Sequence, residues 1–301
     1  MPSMKILLIA GGWSSEREVS LTGARGMQEA LLKRGHAVTF FDLLENFDEL
    51  LETARQHDFA LINLHGSPGE DGLVQAMLEK AGCPYQGSGP SGSFLALNKA
   101  AAKQIFRMAG LPTADWEFLP VRPAEGWEPR LPWPLFVKTT TGGSSLRLGR
   151  ATNRQELDAL MDEIFAAGEG VLIEPQLPGK EITCGILGEE AMPPILIEPV
   201  AALILNCGGA RELCPAPVSP AVTAEVQRLA LAAHKALGLK GYSRADFILG
   251  PDDSLHLLEV NTLPGMTPTS LVPQEAAQLG MDFGQLLEKL IELGMEQHAK
   301  A

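Results

Sequence analysis

Tyrosine and positive charge are both scarce in this chain. Tyr85 and Tyr242 are the only tyrosines in 301 residues, and 24 lysines and arginines stand against 37 aspartates and glutamates, a net charge of -13. That deficit opposes capture of nucleic acid or an anionic membrane by bulk electrostatics, while leaving room for local cations around a nucleotide. Small molecules are the expected partners, with neither nucleic acid nor membrane among them. Cys83, Cys184, Cys207 and Cys214 show no zinc-like pairing, and four thiols do not describe a disulfide scaffold, so buried, reduced thiols are expected. His36, His57, His234, His256 and His298 form no metal-ligand spacing. Long apolar runs are missing too. Met1-Pro-Ser-Met-Lys5 precedes only the short run Ile6 to Ala10, too brief for a signal-peptide core, and no later run approaches a membrane span. A cytoplasmic location is expected.

What the chain does contain is enough mixed apolar and charged sequence for two or three subdomains. Strand-like runs (Lys5 to Ala10, Ala37 to Leu43, Phe59 to Leu64) alternate with helix-like stretches near Thr22 to Arg34 and Gly72 to Ala81, a parallel α/β pattern. Gly11-Gly12 and Gly66 to Gly72 then fall at strand C-termini, where open α/β sheets bind ligands. Asn98 to Met108 reads as a helix closed by Gly110, and Pro120 to Pro134 as a connection with little regular structure. A short strand ending at Lys138, a helix near Gln155 to Ala167 and strands around Val171 to Glu174 and Glu181 to Leu187 give a small α+β unit. Pro220 to Leu237 reads as a long amphipathic helix and Phe283 to Leu293 as another. The expected division is 1–88, 89–178 and 179–301.

The densest chemical signal runs from Arg244 to Thr267. Two apolar runs, Ala245 to Leu249 and Leu255 to Val260, flank the turn-like Gly250-Pro-Asp-Asp-Ser254. A turn centred between Asp252 and Asp253 sets Asp246 opposite Glu259 and Arg244 opposite Asn261, all on one face of a sheet. Two carboxylates and an amide oxygen there suit magnesium beside nucleotide phosphates, and Arg244 suits an anionic intermediate.

Other segments are readable in two ways. Thr139 to Ser145, after Lys138, offers amides and hydroxyls that could cradle phosphate, or is a glycine-rich turn. Lys99, Lys138 and Arg244 would counter a triphosphate, although a helical lysine such as Lys99 is ordinarily a solvated surface charge. Glu174 to Leu177 followed by Gly179-Lys-Glu181 reads as a purine-binding hinge, with Glu181 toward a ribose hydroxyl, or as a plain interstrand loop. Glu16 could bind a substrate ammonium, yet Ser15 and Glu18 have the spacing of a capping box. His65 could orient a carboxylate or be structural, while Glu70 and Asp71 need only favour the following helix N-terminus.

Taken together, the segments from about Lys5 to Leu293 resemble the D-alanine–D-alanine ligases of the ATP-grasp superfamily. The motifs Gly-Gly-x-Ser-x-Glu-Arg-Glu-Val-Ser, His-Gly-x-x-Gly-Glu-Asp-Gly, Gly-Ser-Ser, Arg-x-Asp and Glu-x-Asn-Thr-x-Pro-Gly-Met-Thr-x-x-Ser-Leu occur in the family's order. The resemblance implies an ATP-grasp fold, mixed α/β and α+β, with an N-terminal parallel domain, a small central ATP-binding domain and a C-terminal mixed-sheet domain. It also implies ATP-dependent joining of two D-alanine molecules through an acyl phosphate, for peptidoglycan precursor synthesis, by a homodimer. By matched position, Lys99, Lys138 and Ser144 would contact phosphates, Glu174, Leu177 and Glu181 the adenosine, and Asp246, Glu259 and Asn261 two Mg2+ ions, with Mn2+ as an alternative. Glu16, with His65, would bind the first amino acid, Arg244 and the Gly265 backbone the tetrahedral intermediate, and Ser270 with Leu271 the second substrate's carboxylate.

Where the family carries a loop with a tyrosine and a lysine, this chain reads Val200-Ala-Ala-Leu-Ile-Leu-Asn-Cys-Gly-Gly-Ala-Arg-Glu-Leu213, shortened and with neither. Arg211 is the only cation there and a candidate replacement for the lysine. The departure keeps two other readings open: a carboxylate-amine ligase with a different second substrate, and a catalytically weak nucleotide-binding homologue.

Overall fold

The computed structural model describes residues 1–142, 147–199 and 210–299. Three short, mainly apolar runs, β1 (Lys5–Ala10), β2 (Ala37–Asp42) and β3 (Phe59–Asn63), form a parallel sheet of order β2-β1-β3. Ile6 to Ala10 and Phe59 to Ile62 are all buried, as expected for a parallel sheet covered on both faces. Helices Arg17–Lys33 and Leu73–Ala81 follow β1 and β3. The strand-end turn at Gly11 requires glycine: φ is +78°, and a Cβ there would lie 2.4 Å from the Arg17 guanidinium and 2.7 Å from Asp42 Oδ1.

The second sheet is antiparallel, with β4 (Glu117–Leu119), β5 (Leu135–Thr139), β6 (Gly149–Ala151) and β7 (Val171–Pro175) in the order β4-β7-β5-β6. Helix Arg154–Ala166 covers it through Leu157, Met161 and Ile164. The third contains β8 (Lys180–Leu187), β9 (Glu190–Ala191), β10 (Ile195–Pro199), β11 (Ala210–Leu213), β12 (Tyr242–Leu249) and β13 (Leu255–Asn261). Its order is β11-β10-β8-β12-β13, with β9 also on β8. A mixed sheet is expected here; every described pairing is antiparallel, with β12 and β13 joined by a hairpin and β12 returning beside β8 after the helix Pro220–Ala236.

Two helices carry material between these layers. Pro90–Leu97, which starts on a proline at its first turn, and Lys99–Met108, capped by Asn98 Oδ1 on Ala101 N at 3.0 Å, put Ala96, Ala102 and Phe106 into the third sheet's core. Helix Phe283–Ala299 packs Leu286, Leu287, Leu290 and Ile291 into the core of the first sheet. The 179–301 stretch therefore contributes to two cores.

The β12–β13 hairpin pairs Arg244 with Asn261 and Asp246 with Glu259, as expected. The route differs. Gly250 N donates to Ser254 O at 2.8 Å, so the turn centres on Asp252, and the outer pairs are Phe247–Leu257 and Leu249–Leu255. A bulge at Asp246/Phe247 leaves Leu258 without a partner and restores the inner register. Without that extra residue, one of the two carboxylates would move to the opposite face.

Candidate active site

A cleft of about 290 Å³ opens between the second and third sheets, lined by Lys99, Lys138, Glu174, Leu177, Glu181, Arg244, Asp246 and Glu259 among others. Eight of the residues singled out from sequence therefore meet in one cavity. Alternation along β5 and β7 points Lys138 and Glu174 at each other from their strands, and the two side chains form an ion pair. Glu174 has a second cation that sequence reasoning missed: Lys103 Nζ lies 2.5 Å from Oε1, with Lys103 fully buried. Lys103 follows Lys99 by one helical turn, a spacing that puts both ammonium groups on one face; this was the available signal. Burial pulls the Lys103 pKa down against the Glu174 charge. Burial would raise Glu174, but Lys138 and Lys103 outweigh it and hold the carboxylate below its ordinary range. Lys138 feels the same opposition, and Glu174 and Glu259 keep its ammonium above the usual lysine value.

On the third sheet, Arg244 Nε and Nη2 bind Asp246 Oδ1 and Oδ2 at 2.8 and 2.7 Å, and Thr183 Oγ1 from β8 donates to Asp246 Oδ1 at 2.6 Å. Lys99 Nζ bridges Glu259 Oε2 and the Gly142 carbonyl, both at 2.8 Å. Burial would raise the Glu259 pKa, but Lys99 and Lys138 bring it down to about 2. Asn261 turns its amide oxygen to Arg244 Nη2 at 2.9 Å and its nitrogen to Glu70 Oε1 at 3.1 Å. Glu70 is buried rather than a solvated helix-start carboxylate: it accepts from Gly66 N at 2.7 Å, and burial lifts its pKa to about 7. Glu181 is likewise raised, first by burial and then by Asp246 and Glu259.

The remaining predicted residues are not among those that line this cleft. Glu16 is the N-cap of helix Arg17–Lys33; its backbone N bonds Ser14 Oγ at 3.2 Å, and Ser15 caps nothing. Ser15 and Glu18 therefore form no capping box, contrary to their spacing, since the helix begins one residue beyond that frame. The Glu16 charge reaches His65, whose pKa burial lowers and Glu16 partly restores, with Arg244 opposing. Ser270 is the N-cap of helix Leu271–Gln278; its Oγ accepts from Thr267 N at 3.1 Å and lies where a Cβ on Gly265 would meet it, at 3.1 Å. Ser144 lies outside the described residues. Arg211 is exposed on edge strand β11, opposite Glu198, and does not line the cleft.

Comparison with known proteins decides the family. A model described as D-ala D-ala ligase C-terminus matches residues 104–292. A D-alanine–D-alanine ligase of Desulfovibrio desulfuricans is 73% identical over 97% of both chains, and one of Nitratidesulfovibrio vulgaris is 62% identical over 97% of this chain and 98% of its own. The chain belongs to the D-alanine–D-alanine ligase family. Among solved structures, the Bacillus anthracis ligase complexed with ATP superposes with a TM-score of 0.90 at 34% identity, covering 99% of each chain. The VanG D-Ala:D-Ser ligase of Enterococcus faecalis, at 26% identity, gives 0.83 over 97% of this chain and 99% of its own. For a ligase, the cleft's two kinds of charge make sense. At one wall Glu174 is shared by Lys138 and, from behind, by the buried Lys103; at the other, Asp246 pairs with Arg244 and Glu259 with Lys99.

Proposed function

We propose that this chain uses ATP to join two D-alanine molecules, working in the cytoplasm as a homodimer that supplies peptidoglycan precursors. The supporting observation is the single polar face of the β12–β13 hairpin, Arg244, Asp246, Glu259 and Asn261, opposite the Lys138–Glu174 pair in one cleft. In this reading Glu174, Leu177 and Glu181 receive the adenosine, and Lys99, Lys138 and Ser144 receive the phosphates. Lys99 and Lys138 currently neutralise protein carboxylates and would exchange them for phosphate oxygens.

Asp246, Glu259 and Asn261 would hold two Mg2+ ions, or Mn2+. The donor set fits: hard oxygens on one face, with no group of three or more His, Cys, Asp or Glu able to hold a metal among the described residues. Protein ligands alone are too few, which suits an ion completed by water and nucleotide phosphates. When bound, the metal would supply charge neutralisation on the transferring phosphoryl group.

Glu16, with His65, orients the first D-alanine so that its carboxylate oxygen attacks the γ-phosphorus, and the bond to the bridging oxygen of ADP breaks. The amine of the second D-alanine, held through its carboxylate by Ser270 and Leu271, then attacks the acyl carbon. Arg244 and the Gly265 backbone stabilise the tetrahedral oxyanion before phosphate leaves and the amine sheds its proton. Positioning and charge neutralisation carry the rate. ADP release dependent on D-alanine, with mass analysis of the product, tests the reading. ATP binding without amino-acid-stimulated phosphate release would favour a binding protein, and a depsipeptide or D-alanyl-D-serine product would reassign the second substrate.

A further inference from the structure

Helix Leu271–Gln278, which starts at Ser270, carries a glutamate on its buried side. Glu275 is fully buried, and its Oε1 accepts from the backbone N of Gly185 on β8 at 2.8 Å. Its Oε2 has no hydrogen-bond partner. Gly185 lies beyond the last β8–β10 pair at Thr183 and before the first β8–β9 pair at Ile186; its carbonyl accepts from Met192 N at 2.8 Å, while its N–H bonds Glu275 instead of a strand. On the other side, Gly185 is the register partner of Arg244.

Cross-strand partners point their side chains to the same face. The side chain missing at Gly185 would therefore lie beside Arg244, and that space is where Glu275 enters. A Cβ on Gly185 would come within 2.3 Å of Glu275 Oε2 and 2.4 Å of Met192 Cε. A buried carboxyl thus takes the place of a side chain on the strand that backs Arg244, and it belongs to the helix whose first residues are Ser270 and Leu271.

We infer that Glu275 is a positioning residue for the second amino acid: its bond to Gly185 fixes the start of helix Leu271–Gln278 relative to Arg244, and so sets the distance between the group that holds the second substrate and the group that meets the intermediate. This rests on the reading of Ser270 and Leu271 as the second-substrate site. The charged and titratable groups around Glu275 are Arg244 and Asp246 on β12, Cys184 on β8, and Cys214. None of them is hydrogen-bonded to it, so the Glu275 carboxyl contributes one bond, which a neutral acceptor can reproduce, beside the Gln274–Glu212 bond and the packing of Val272 and Ala276 that also anchor the helix.

Initial-rate kinetics that resolve the two D-alanine KM values test this. Removing the acceptor in Glu275→Ala leaves the Gly185 N–H buried and unmatched, and the KM for the second D-alanine is expected to rise about tenfold to a hundredfold, with the KM values for ATP and the first D-alanine within about twofold of the parent. Glu275→Gln, which keeps the acceptor, is expected to restore the parent pattern. A parallel rise in all three KM values, no rise at all, or a Gln variant as impaired as Ala overturns the inference. Where the Ala variant is recovered poorly, Glu275→Met keeps the volume without the acceptor, and the same comparison is read from it. Ser270→Ala separates the two layers of the argument: if it leaves the second KM unchanged, the assignment of that helix fails; if it raises the second KM and Glu275→Ala does not, the role of Glu275 alone is refuted.

Discussion

The two walls of the cleft handle charge differently. At the second sheet, Lys138 of β5 and Lys103 of the helix Lys99–Met108 share Glu174, with Lys103 and Glu174 at 0% and 5% side-chain exposure. On the third, Arg244–Asp246 and Lys99–Glu259 are one-to-one pairs whose members are 12% to 28% exposed. The first arrangement pays heavy desolvation to keep surplus positive charge in a fixed place. The second keeps its carboxylates near solvent, where a cation can be exchanged. The proposed roles, retaining an anionic nucleotide and admitting divalent ions, call for one wall of each kind.

The contrast can be broken most severely at Glu174. Glu174→Ala leaves the buried Lys103 and the half-buried Lys138 without their shared ion-pair partner and is expected to cost about 3–5 kcal/mol of folding stability, with ATP affinity falling as Lys138 loses its anchor. Chemical denaturation and nucleotide titration read both; a loss below about 1 kcal/mol would mean that water already screens the cluster. Asp246→Asn should do the reverse. Stability is expected to stay within about 1 kcal/mol of the parent while turnover falls about a hundredfold, because the pair with Arg244 is partly exposed but the carboxylate is a proposed metal ligand.

Lys103→Met removes one of the two cations and should cost about 1–3 kcal/mol, with the KM for ATP raised; Lys103→Arg, too bulky for the buried site, is not expected to rescue it. The next effect is one of pH. Burial raises Glu275 to about 8 in the folded chain, against an ordinary carboxyl value when unfolded. The unfolded chain loses this proton first, so the group's contribution to stability is full at acid pH, falls as pH rises toward 8 and levels off above it. Glu275→Gln has no such proton, and its thermal stability should gain on the parent between pH 5 and pH 9; a gap constant across that range would mean the carboxyl is already ionised in the fold. The smallest effect belongs to Arg211→Ala, expected to leave turnover within about twofold, since Arg211 lies opposite Glu198 on an edge strand.

Much of this site was legible because strands have period two. The pairing of Asp246 with Glu259 followed from the alternation and the turn composition, although the turn lay half a step away and Leu258 had to make up the difference. Nothing local marks Leu258 as a bulge; it is set by β8, which pairs with β12 from Tyr242 to Leu249 without interruption. Lys103, Glu70 and Glu275 escaped for a shared reason. Each sits in a helix or at a helix start where a charged residue ordinarily faces water, and each is buried by a partner far along the chain: Glu174, Asn261 and Gly185. The loop expected to differ most from the family, around Val200, falls mainly outside the described residues.

Helix Phe283–Ala299 carries a consequence for how the molecule is made. It closes the core of a sheet built from residues 5 to 63, and its Gly294 passes so near Phe59 and the Tyr85 carbonyl that a Cβ there would lie 2.6 and 2.5 Å away. During synthesis the first sheet therefore waits, with an apolar side uncovered, while every other element of the ligase emerges from the ribosome. A chain interrupted before residue 283 has the β12–β13 hairpin and the strands that wall the cleft, yet lacks the cover for the sheet that presents Glu16 and His65. Its exposed sheet marks it for chaperones or proteases rather than for partial activity.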